Sequence, residues 1–431
     1  MTLNRHLQPE LKEISKVQLP DFANVKLDNE IPVHLLNVGS QDLVRLQFSI
    51  PAGSIYQKQS LLAYFTNKML KEGSSKYSAA QIAEKMDFYG AYFDVHSGRD
   101  YAYFTLFCLN KYLDPILEII ADILAHPLWP EKELQIIIQQ EKQAFQIRNT
   151  KPKTISFRKF HQELFGEKHP YGSMASLSDY DQIKKEDLQA FFEVYYQPKN
   201  WHIFVSGKTS LATFDILNRH LGRLSSASVH LPESEIPKIG NKTADYFVER
   251  KDALQTALKM GELSISRKHE DYPIFSLAQT ILGGFFGSRL MQNIREDKGY
   301  TYGIHSGIHH FKKASVFLIS SEVGAKYADK ALSEVKNELL RLRQEEVPES
   351  ELQLVKNYIA GSLLKSLNGP FALGDMMRML HENNLSKDYF TNYISAIQEA
   401  SAKDIERIAN KYLHEKDMIS VLVGSKITEE R

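Results

Sequence analysis

The chain has 431 residues, 43% of them hydrophobic. This length exceeds the roughly 250–300 residues at which a single hydrophobic core stops growing, so we expect two large domains or three smaller ones. The 53 basic and 53 acidic residues balance, so the chain lacks the basic excess that nucleic-acid binding uses, and we predict no nucleic-acid partner.

The N-terminal segment MTLNRHLQPELKEISKVQLP lacks the apolar core of about 7–15 residues that a secretory signal carries. No stretch approaches the ~20 apolar residues of a membrane-spanning helix. We therefore predict a cytoplasmic protein with no membrane partner. The only cysteine, Cys108, lies in the apolar run YAYFTLFCL and is predicted to be a buried structural thiol.

In the first half, strand-like and helix-like patterns follow one another. The predicted strands are 44–50, 91–97 and 101–109, and the predicted helices are 59–72, one beginning after the cap Ser78, 113–125 and 130–147. The second half repeats this order, with strands around 255–266 and 300–322 and long helices from about 325 to 382. Strands that follow each other without an intervening helix predict antiparallel pairing.

Two independent sequence matches indicate an internal duplication. WPEKELQIII matches VPESELQLVK, with Pro130 and Pro348 lying 218 residues apart. The segment 184–208 matches 401–426 at an offset of 217, and each reads as a capped helix followed by an apolar strand. Two matches at nearly one offset indicate a duplicated unit of about 210 residues.

We therefore predict an α+β fold with two homologous domains, 1–224 and 243–431. The segment 225–242 between them is rich in Ser and Pro, as interdomain linkers are. Each domain is expected to contain an antiparallel-rich sheet with helices packed mainly on one face.

The helix predicted at 59–72 carries Tyr64, Asn67 and Lys68 on one face, at positions i, i+3 and i+4. A zinc peptidase would place His, Glu and His there. Neither a Lys ammonium nor a protonated Tyr offers a lone pair that zinc could use, and an Asn amide is neither a good ligand nor a base. We therefore predict no zinc at this helix.

Four segments carry a resemblance to a known family. They are LAYFTNKMLKEGSSKYSA, LDPILEIIADILAHPLWPEKELQIIIQQE, HPYG at 169–172 and GGFFGSRLMQNIREDKGYTYGI. Together they resemble the pitrilysin/insulinase superfamily, whose mark is H-x-x-E-H. The resemblance implies that Tyr64 and Lys68 stand at the two His positions and Asn67 at the catalytic Glu. It places the third ligand at Gln140 or, with a shift of one residue, at Glu141.

A second histidine group does not change the prediction of no metal in this chain. HSGIHH contains His305, His309 and His310 in a strand-like segment. Residues i and i+4 of a strand lie about 13 Å apart, too far to share one ion.

The second half keeps residues that the resemblance links to substrate binding. A helix end at Gly299 and a turn separate Arg295 from Tyr302, so both can point at one ligand. The resemblance implies that the two residues grip the peptide backbone and help to stabilise the tetrahedral intermediate. The family's glycine-rich segment corresponds to Gly283, Gly284 and Gly287. A phosphate loop is the weaker reading, because the segment lacks the Lys-Ser/Thr ending and follows a helical pattern; we expect close backbone approach at a turn.

Some members of this superfamily are two-chain enzymes related to the mitochondrial processing peptidase. The resemblance implies that this chain is the zinc-less subunit of a heterodimeric metalloendopeptidase that cleaves short or unfolded polypeptides. Zinc and the general base would come from a homologous H-x-x-E-H subunit, and this chain would hold no cofactor. The alternatives are an inactive scaffold and a stand-alone peptide-binding protein of the same fold.

Overall fold

The computed structural model describes residue 17 and residues 19–226 and 243–426. The first half forms a six-stranded sheet of β1 (Ala23–Lys26), β2 (Pro32–Asn37), β3 (Leu43–Ile50), β4 (Tyr92–Ser97), β5 (Ala102–Leu109) and β6 (His202–Gly207). The strand order is β1-β2-β6-β3-β5-β4. The β2–β6 pair is parallel and the other four pairs are antiparallel.

The second half forms a five-stranded sheet of β7 (Ala244–Glu249), β8 (Gln255–Ser264), β9 (Thr301–His310), β10 (Ser315–Gly324) and β11 (Ile419–Gly424). Its order is β7-β11-β8-β10-β9, with β7–β11 parallel and the remaining pairs antiparallel. The predicted α+β fold with antiparallel-rich sheets is confirmed.

Helices connect and cover these strands. Those of the first half are α1 (Leu62–Met69), α2 (Ala79–Phe88), α3 (Leu113–Ala125), α4 (Glu131–Arg148), α5 (Pro152–Phe165), α6 (Lys185–Tyr195) and α7 (Leu211–Leu221). Those of the second half are α8 (Tyr272–Gln279), α9 (Ala328–Gln344), α10 (Glu349–Ser366), α11 (Pro370–Glu382), α12 (Tyr389–Glu399) and α13 (Ala402–Tyr412). Ser78 caps α2 in a reciprocal capping box with Gln81.

The duplication is visible in the element bounds. Helices α4 and α10 both begin and end 218 residues apart, and α5 and α11 begin at the same offset. Helices α6 and α13, and strands β6 and β11, are related by 217 residues. The sequence repeat therefore corresponds to a repeat of whole structural elements.

The two halves exchange one helix each. Along β6, Ile203 and Val205 join the core of the first half, whereas Phe204 points to the other face and packs with Met377 of α11. Along β11, alternate residues pack in the same way with Phe160 and neighbouring side chains of α5. Because successive side chains of a strand face opposite sides, each sheet has its own helices on one face and a helix of the other half on the opposite face.

The predicted linker 225–242 lies almost entirely outside the described residues, so the domain boundaries stay a prediction. Cys108 is fully buried in the core of the first half. No helix in the described part of the chain combines the length and apolar character needed to cross a bilayer.

Candidate functional site

Helix α1 carries the three degenerate motif positions on the inner side of the first half. Asn67 is 1% exposed and donates from Nδ2 to the Tyr196 hydroxyl over 3.2 Å. Tyr64 is partly buried against the same core. The helix is held by its apolar face, which includes Phe65 and Met69, so the polar positions are fixed in place.

A lysine ammonium lies among the motif positions. Lys68 Nζ donates to Glu141 Oε1 at 2.5 Å and to the Tyr64 hydroxyl at 3.3 Å. Burial opposes both charges, but the Lys68–Glu141 hydrogen bond, with the Tyr64 contacts, outweighs it: the pKa of Lys68 is raised and that of Glu141 is lowered. Both groups are therefore charged at neutral pH. The positive charge of this cluster is supplied by the Lys68 side chain of the protein itself.

The helix phase of α4 selects which predicted third-ligand position faces α1. Glu141 follows the buried residues Ile137 and Ile138 on the inner face of α4, whereas Gln140 is exposed. Of the two alternatives, Glu141 therefore reaches the motif. The surrounding donor set, a lysine ammonium, a phenol and an amide, does not fit a zinc ion.

In the second half, Arg295 lies in a π-helical segment, Met291–Asp297. The Arg295 guanidinium stacks 4.5 Å from the centre of the Phe286 ring and lies 3.3 Å from Glu296. Phe286 belongs to the glycine-rich segment and is 64% exposed. That segment and Arg295 therefore form one surface.

The polypeptide turns sharply after Arg295. Gly299 has φ 63°, and its N–H donates to the Arg295 carbonyl over 3.1 Å. Such a left-handed residue commonly ends a helix, and glycine adopts it without steric cost. The next residues open strand β9, so the helix end predicted at Gly299 is where the chain reverses.

Tyr302 lies at an irregularity in the second sheet. The register between β9 and β10 shifts between Ser321 and Val323, which leaves Tyr302 and Gly303 together opposite Glu322. Such bulges re-aim a side chain. Tyr302 is 89% exposed and lines an open cleft of about 320 Å³, together with Lys153, Gln255, Lys259, His305 and Glu322.

In the described residues 243–426, the side chains of Arg295 and Tyr302 do not contact each other. Arg295 packs on Phe286, whereas Tyr302 projects beside the cleft. That both residues bind one peptide stays a prediction.

The three glycines differ in what surrounds them. A Cβ on Gly283 would meet Ser306 at 2.6 Å from Oγ and 2.8 Å from the backbone nitrogen. At Gly284 and Gly287 the nearest atoms belong only to side chains. Close backbone approach therefore applies to Gly283, which lets the π-helical turn Thr280–Gly284 pack on β9.

Lys259 is a cleft residue that the sequence did not single out. Its side chain is buried, and Nζ donates to Ser320 Oγ over 2.9 Å. Burial, reinforced by the charge of Lys153, lowers the pKa of Lys259 to about 8. Strand alternation places Lys259 on the face of β8 that α5 of the first half covers, and its Nζ lies 5.9 Å from the centre of the Phe157 ring on α5.

The three histidines of HSGIHH lie in β9, as their pattern indicated. His310 hydrogen-bonds to Tyr272 at 3.0 Å and to Ser315 at 2.8 Å. Among the described residues, these histidines are not part of any group whose ligand atoms are close enough to share an ion.

Comparison with known proteins identifies the family. Residues 33–175 match the family model "Insulinase (Peptidase family M16)", and residues 182–359 match "Peptidase M16 inactive domain". A protein of Rickettsia felis named "Uncharacterized zinc protease" is 25% identical over 80% of this chain and 83% of its own length. The "Non-peptidase homolog YmxG" of Helicobacter pylori is 23% identical over 91% of this chain and 90% of its own.

Solved structures show the same fold. A crystal structure from Pseudomonas fluorescens, described as a peptidase M16 inactive domain, superposes with a TM-score of 0.86 at 24% identity. The match covers 96% of this chain and all of that one. The two family models follow each other along the chain and together span most of the sequence. The chain therefore belongs to the insulinase family of peptidases, family M16.

Proposed function

We propose that this chain is the non-catalytic subunit of a heterodimeric zinc metalloendopeptidase. One observation carries the proposal: Lys68 Nζ, 2.5 Å from Glu141, lies where the family's motif would bind zinc. A homologous H-x-x-E-H subunit supplies the zinc and the general base. The motif of this chain needs no cofactor, and alone the chain does not hydrolyse peptides.

The second half supplies binding groups to the shared site. A guanidinium such as Arg295 can donate two parallel hydrogen bonds to a peptide carbonyl, and the Tyr302 phenol can donate one to a developing oxyanion. The high exposure of Tyr302 and the cleft beside it support contact with an extended, unfolded peptide. In this arrangement the chain orients the substrate backbone while the partner performs the chemistry.

A stand-alone peptide-binding protein is the second candidate. The cleft beside Tyr302, with the buried amine of Lys259 in its wall, can hold a polar segment without any zinc. An inactive scaffold of the same fold is the least supported alternative, because a scaffold has no use for Arg295 on the glycine-rich surface or for the exposed Tyr302. The cytoplasmic location and the boundaries at residues 224 and 243 remain predictions.

The test mixes the purified chain with a purified H-x-x-E-H homologue from the same genome and follows cleavage of a quenched peptide. Each chain is also measured alone. We expect activity only in the mixture. Arg295→Ala and Tyr302→Phe should each reduce kcat at least about tenfold, since the loss of one donor to the oxyanion typically costs about 100- to 1,000-fold.

Matched controls separate this role from general damage. Tyr92→Phe removes a hydroxyl from an exposed tyrosine of the first sheet, and Arg223→Ala removes an exposed arginine after α7. Both controls should leave the mixture fully active. If the two chains form no complex, or if the mixture cleaves equally well with Arg295→Ala and Tyr302→Phe, the shared-site proposal is wrong and peptide binding by the chain alone becomes the function to test.

A further inference from the structure

Three histidines that are far apart in the sequence meet where the two halves touch. His34 lies in β2, His202 in the neighbouring strand β6, and His381 in the last turn of the exchanged helix α11. One ring nitrogen from each lies within 4.8 Å of the others. His34 is buried, and the other two are half-buried.

The His34 ring is held in one orientation. Its Nδ1 lies 2.6 Å from Asn24 Oδ1, an oxygen that can only accept, so Nδ1 carries the proton. The lone pair of His34 is therefore on Nε2, and that nitrogen lies 3.3 Å from His202 Nδ1. A hydrogen bond from the distal nitrogen to a carbonyl-type oxygen is the usual support of a metal-binding histidine.

The spacing fits a tetrahedral ion. With metal–nitrogen bonds of about 2.0–2.1 Å, two imidazole ligands of one tetrahedral zinc lie about 3.3 Å apart, as His34 Nε2 and His202 Nδ1 do. The His381 ring is centred 4.0 Å from that of His202 and 4.6 Å from that of His34. A ring nitrogen of His381 lies within 4.8 Å of the ligand nitrogens of the other two, so a small side-chain adjustment of this half-buried residue would complete the set.

The charges around the cluster permit a cation. Burial first, and then the mutual proximity of the rings, lower the pKa of His34 to about 3 and that of His202 to about 4; burial also lowers the pKa of His381. Burial thus favours the neutral form of each ring, which is the form that binds metal. The charge of Lys312 acts on His202, and the carboxylates of Asp100 and Glu382 act on Lys312 in the opposite sense.

We propose that His34, His202 and His381 form a binding site for a divalent transition-metal ion, with Zn²⁺ as the preferred ion. Three imidazoles and one water are a donor set that zinc takes readily. The ion would join two strands of the first sheet to a helix of the second half, so its role is to fasten the two halves together. The site is separate from the degenerate motif on α1 and independent of the proposed peptidase function; it replaces the expectation that this chain holds no metal.

The test uses Zn²⁺ itself on the full chain. The protein is treated with a chelator, dialysed against a small excess of Zn²⁺ and then against metal-free buffer, and its zinc content is measured. We expect about one ion per chain in the parent. His202→Gln and His381→Gln should each retain less than about a fifth of that amount, because the loss of one of three protein ligands leaves an incomplete site. His126→Gln, at an exposed histidine on the far end of α3, is the matched control and should retain the full amount.

Two readouts report on geometry and on the fastening role. Co²⁺ in place of Zn²⁺ should give the intense visible absorption of a four-coordinate ion in the parent and in His126→Gln. Zn²⁺ should raise the unfolding temperature of the parent by at least about 3 °C, since a ligand bound only to the folded state stabilises it. In His381→Gln, the unfolding temperature should be the same with and without Zn²⁺, whatever the substitution does to the metal-free value.

The proposal is overturned if the parent retains no zinc, or if His202→Gln and His381→Gln retain as much zinc as His126→Gln. Retention without any change in unfolding temperature would overturn the fastening role. Because none of these measurements uses peptide cleavage, their failure is distinct from a failure of the shared-site proposal.

Discussion

The two halves share one strand order apart from the additional strand β1, but their candidate site residues differ in how they are exposed. In the first half, Lys68 and Glu141 neutralise each other beside a core helix. In the second half, Arg295 rests on an exposed ring and Tyr302 is almost fully exposed. Arg295 also has an acidic neighbour, Glu296, and its side chain is no more exposed than that of Lys68, so of these four residues Tyr302 is the one that is open to a ligand. This difference in exposure supports the proposal that Tyr302 of the second half contacts the ligand.

The largest expected effect is a gain of bound zinc when the metal ligands are restored at the motif positions of α1. Replacing Tyr64→His together with Lys68→His removes the internal cation and offers two imidazoles beside Glu141, the set that zinc requires. In a His381→Gln background, which removes the separate histidine cluster, zinc content should rise from near zero to about one ion per chain. Metal analysis after dialysis measures it.

Two additional variants test whether zinc in the double variant is bound at the intended position. Adding Glu141→Gln to the double variant should remove the gained zinc, and adding Gln140→Ala should not, because Gln140 is exposed on the other side of α4. Zinc retention that survives Glu141→Gln would mean that the ion is bound elsewhere. Since Asn67 is not a base, the double variant should bind zinc without cleaving peptides.

Breaking the ion pair in the first half should cost less. Lys68→Met leaves the Glu141 carboxylate, whose side chain is only 15% exposed, without its main partner, and should lower the free energy of unfolding by about 1–2 kcal/mol. Lys68→Met with Glu141→Leu should recover most of this loss. Chemical denaturation measures both, and an equal loss in the double variant would show that packing, rather than the unpaired charge, is responsible.

The same pair predicts a pH dependence. The folded pKa of Glu141 is lowered relative to the unfolded chain, so its stabilisation is complete above the ordinary Glu value of about 4.3 and is lost as the pH falls through the folded value. The difference in stability between the parent and Lys68→Met should therefore shrink as the pH falls below about 4.3. A difference that stays constant down to acidic pH would contradict the pairing.

In the second half, the glycine-rich segment should tolerate change at one position and not at another. Gly283→Ala brings a methyl group against the backbone of Ser306 and should cost about 1–2 kcal/mol through overpacking. Gly287→Ala meets only the Phe285 ring, which can rotate, and should cost less than about 0.5 kcal/mol. Thermal denaturation of the pair measures the difference, and equal costs would show that close approach at Gly283 is not what the glycine serves.

The smallest effect is expected at the ring beneath Arg295. Phe286→Ala removes an exposed cation–π contact worth about 0.5–1 kcal/mol, so activity of the two-chain mixture should fall about two- to fivefold without loss of stability. Phe286→Tyr keeps the aromatic face and should keep the activity. A loss as large as that of Arg295→Ala would indicate that Phe286 itself contacts the substrate.

Much of the fold could be predicted from patterns within short windows. The helix that follows Ser78, the strands on either side of residue 100 and the offset of 218 all reappear as structural elements. The turn at Gly299 could also be predicted from a short window, because glycine adopts a left-handed backbone conformation without steric cost. The motif positions on α1 followed from helical spacing, which places residues i, i+3 and i+4 on one face.

Other features could not be predicted because they depend on segments that are distant in the sequence. The choice of Glu141 over Gln140 depends on how α4 is rotated against α1. The burial of Lys259 depends on α5, which comes from the other half. His34, His202 and His381 lie in three unrelated patterns, and nothing near any of them in sequence indicates the others.

The sequence by itself determined the duplicated α+β fold and the residue types Tyr64, Asn67 and Lys68 on one helix, whereas the roles of Arg295 and Tyr302 were implied by the family resemblance. The fold and the helix face depend on residue type and local period, which hold whatever the surroundings. Only the tertiary structure decided that Lys68 is neutralised by Glu141, that the halves exchange helices, and that three histidines meet between them. Such contacts join residues separated by up to several hundred positions, and their geometry is fixed by the packing of whole elements rather than by any local pattern.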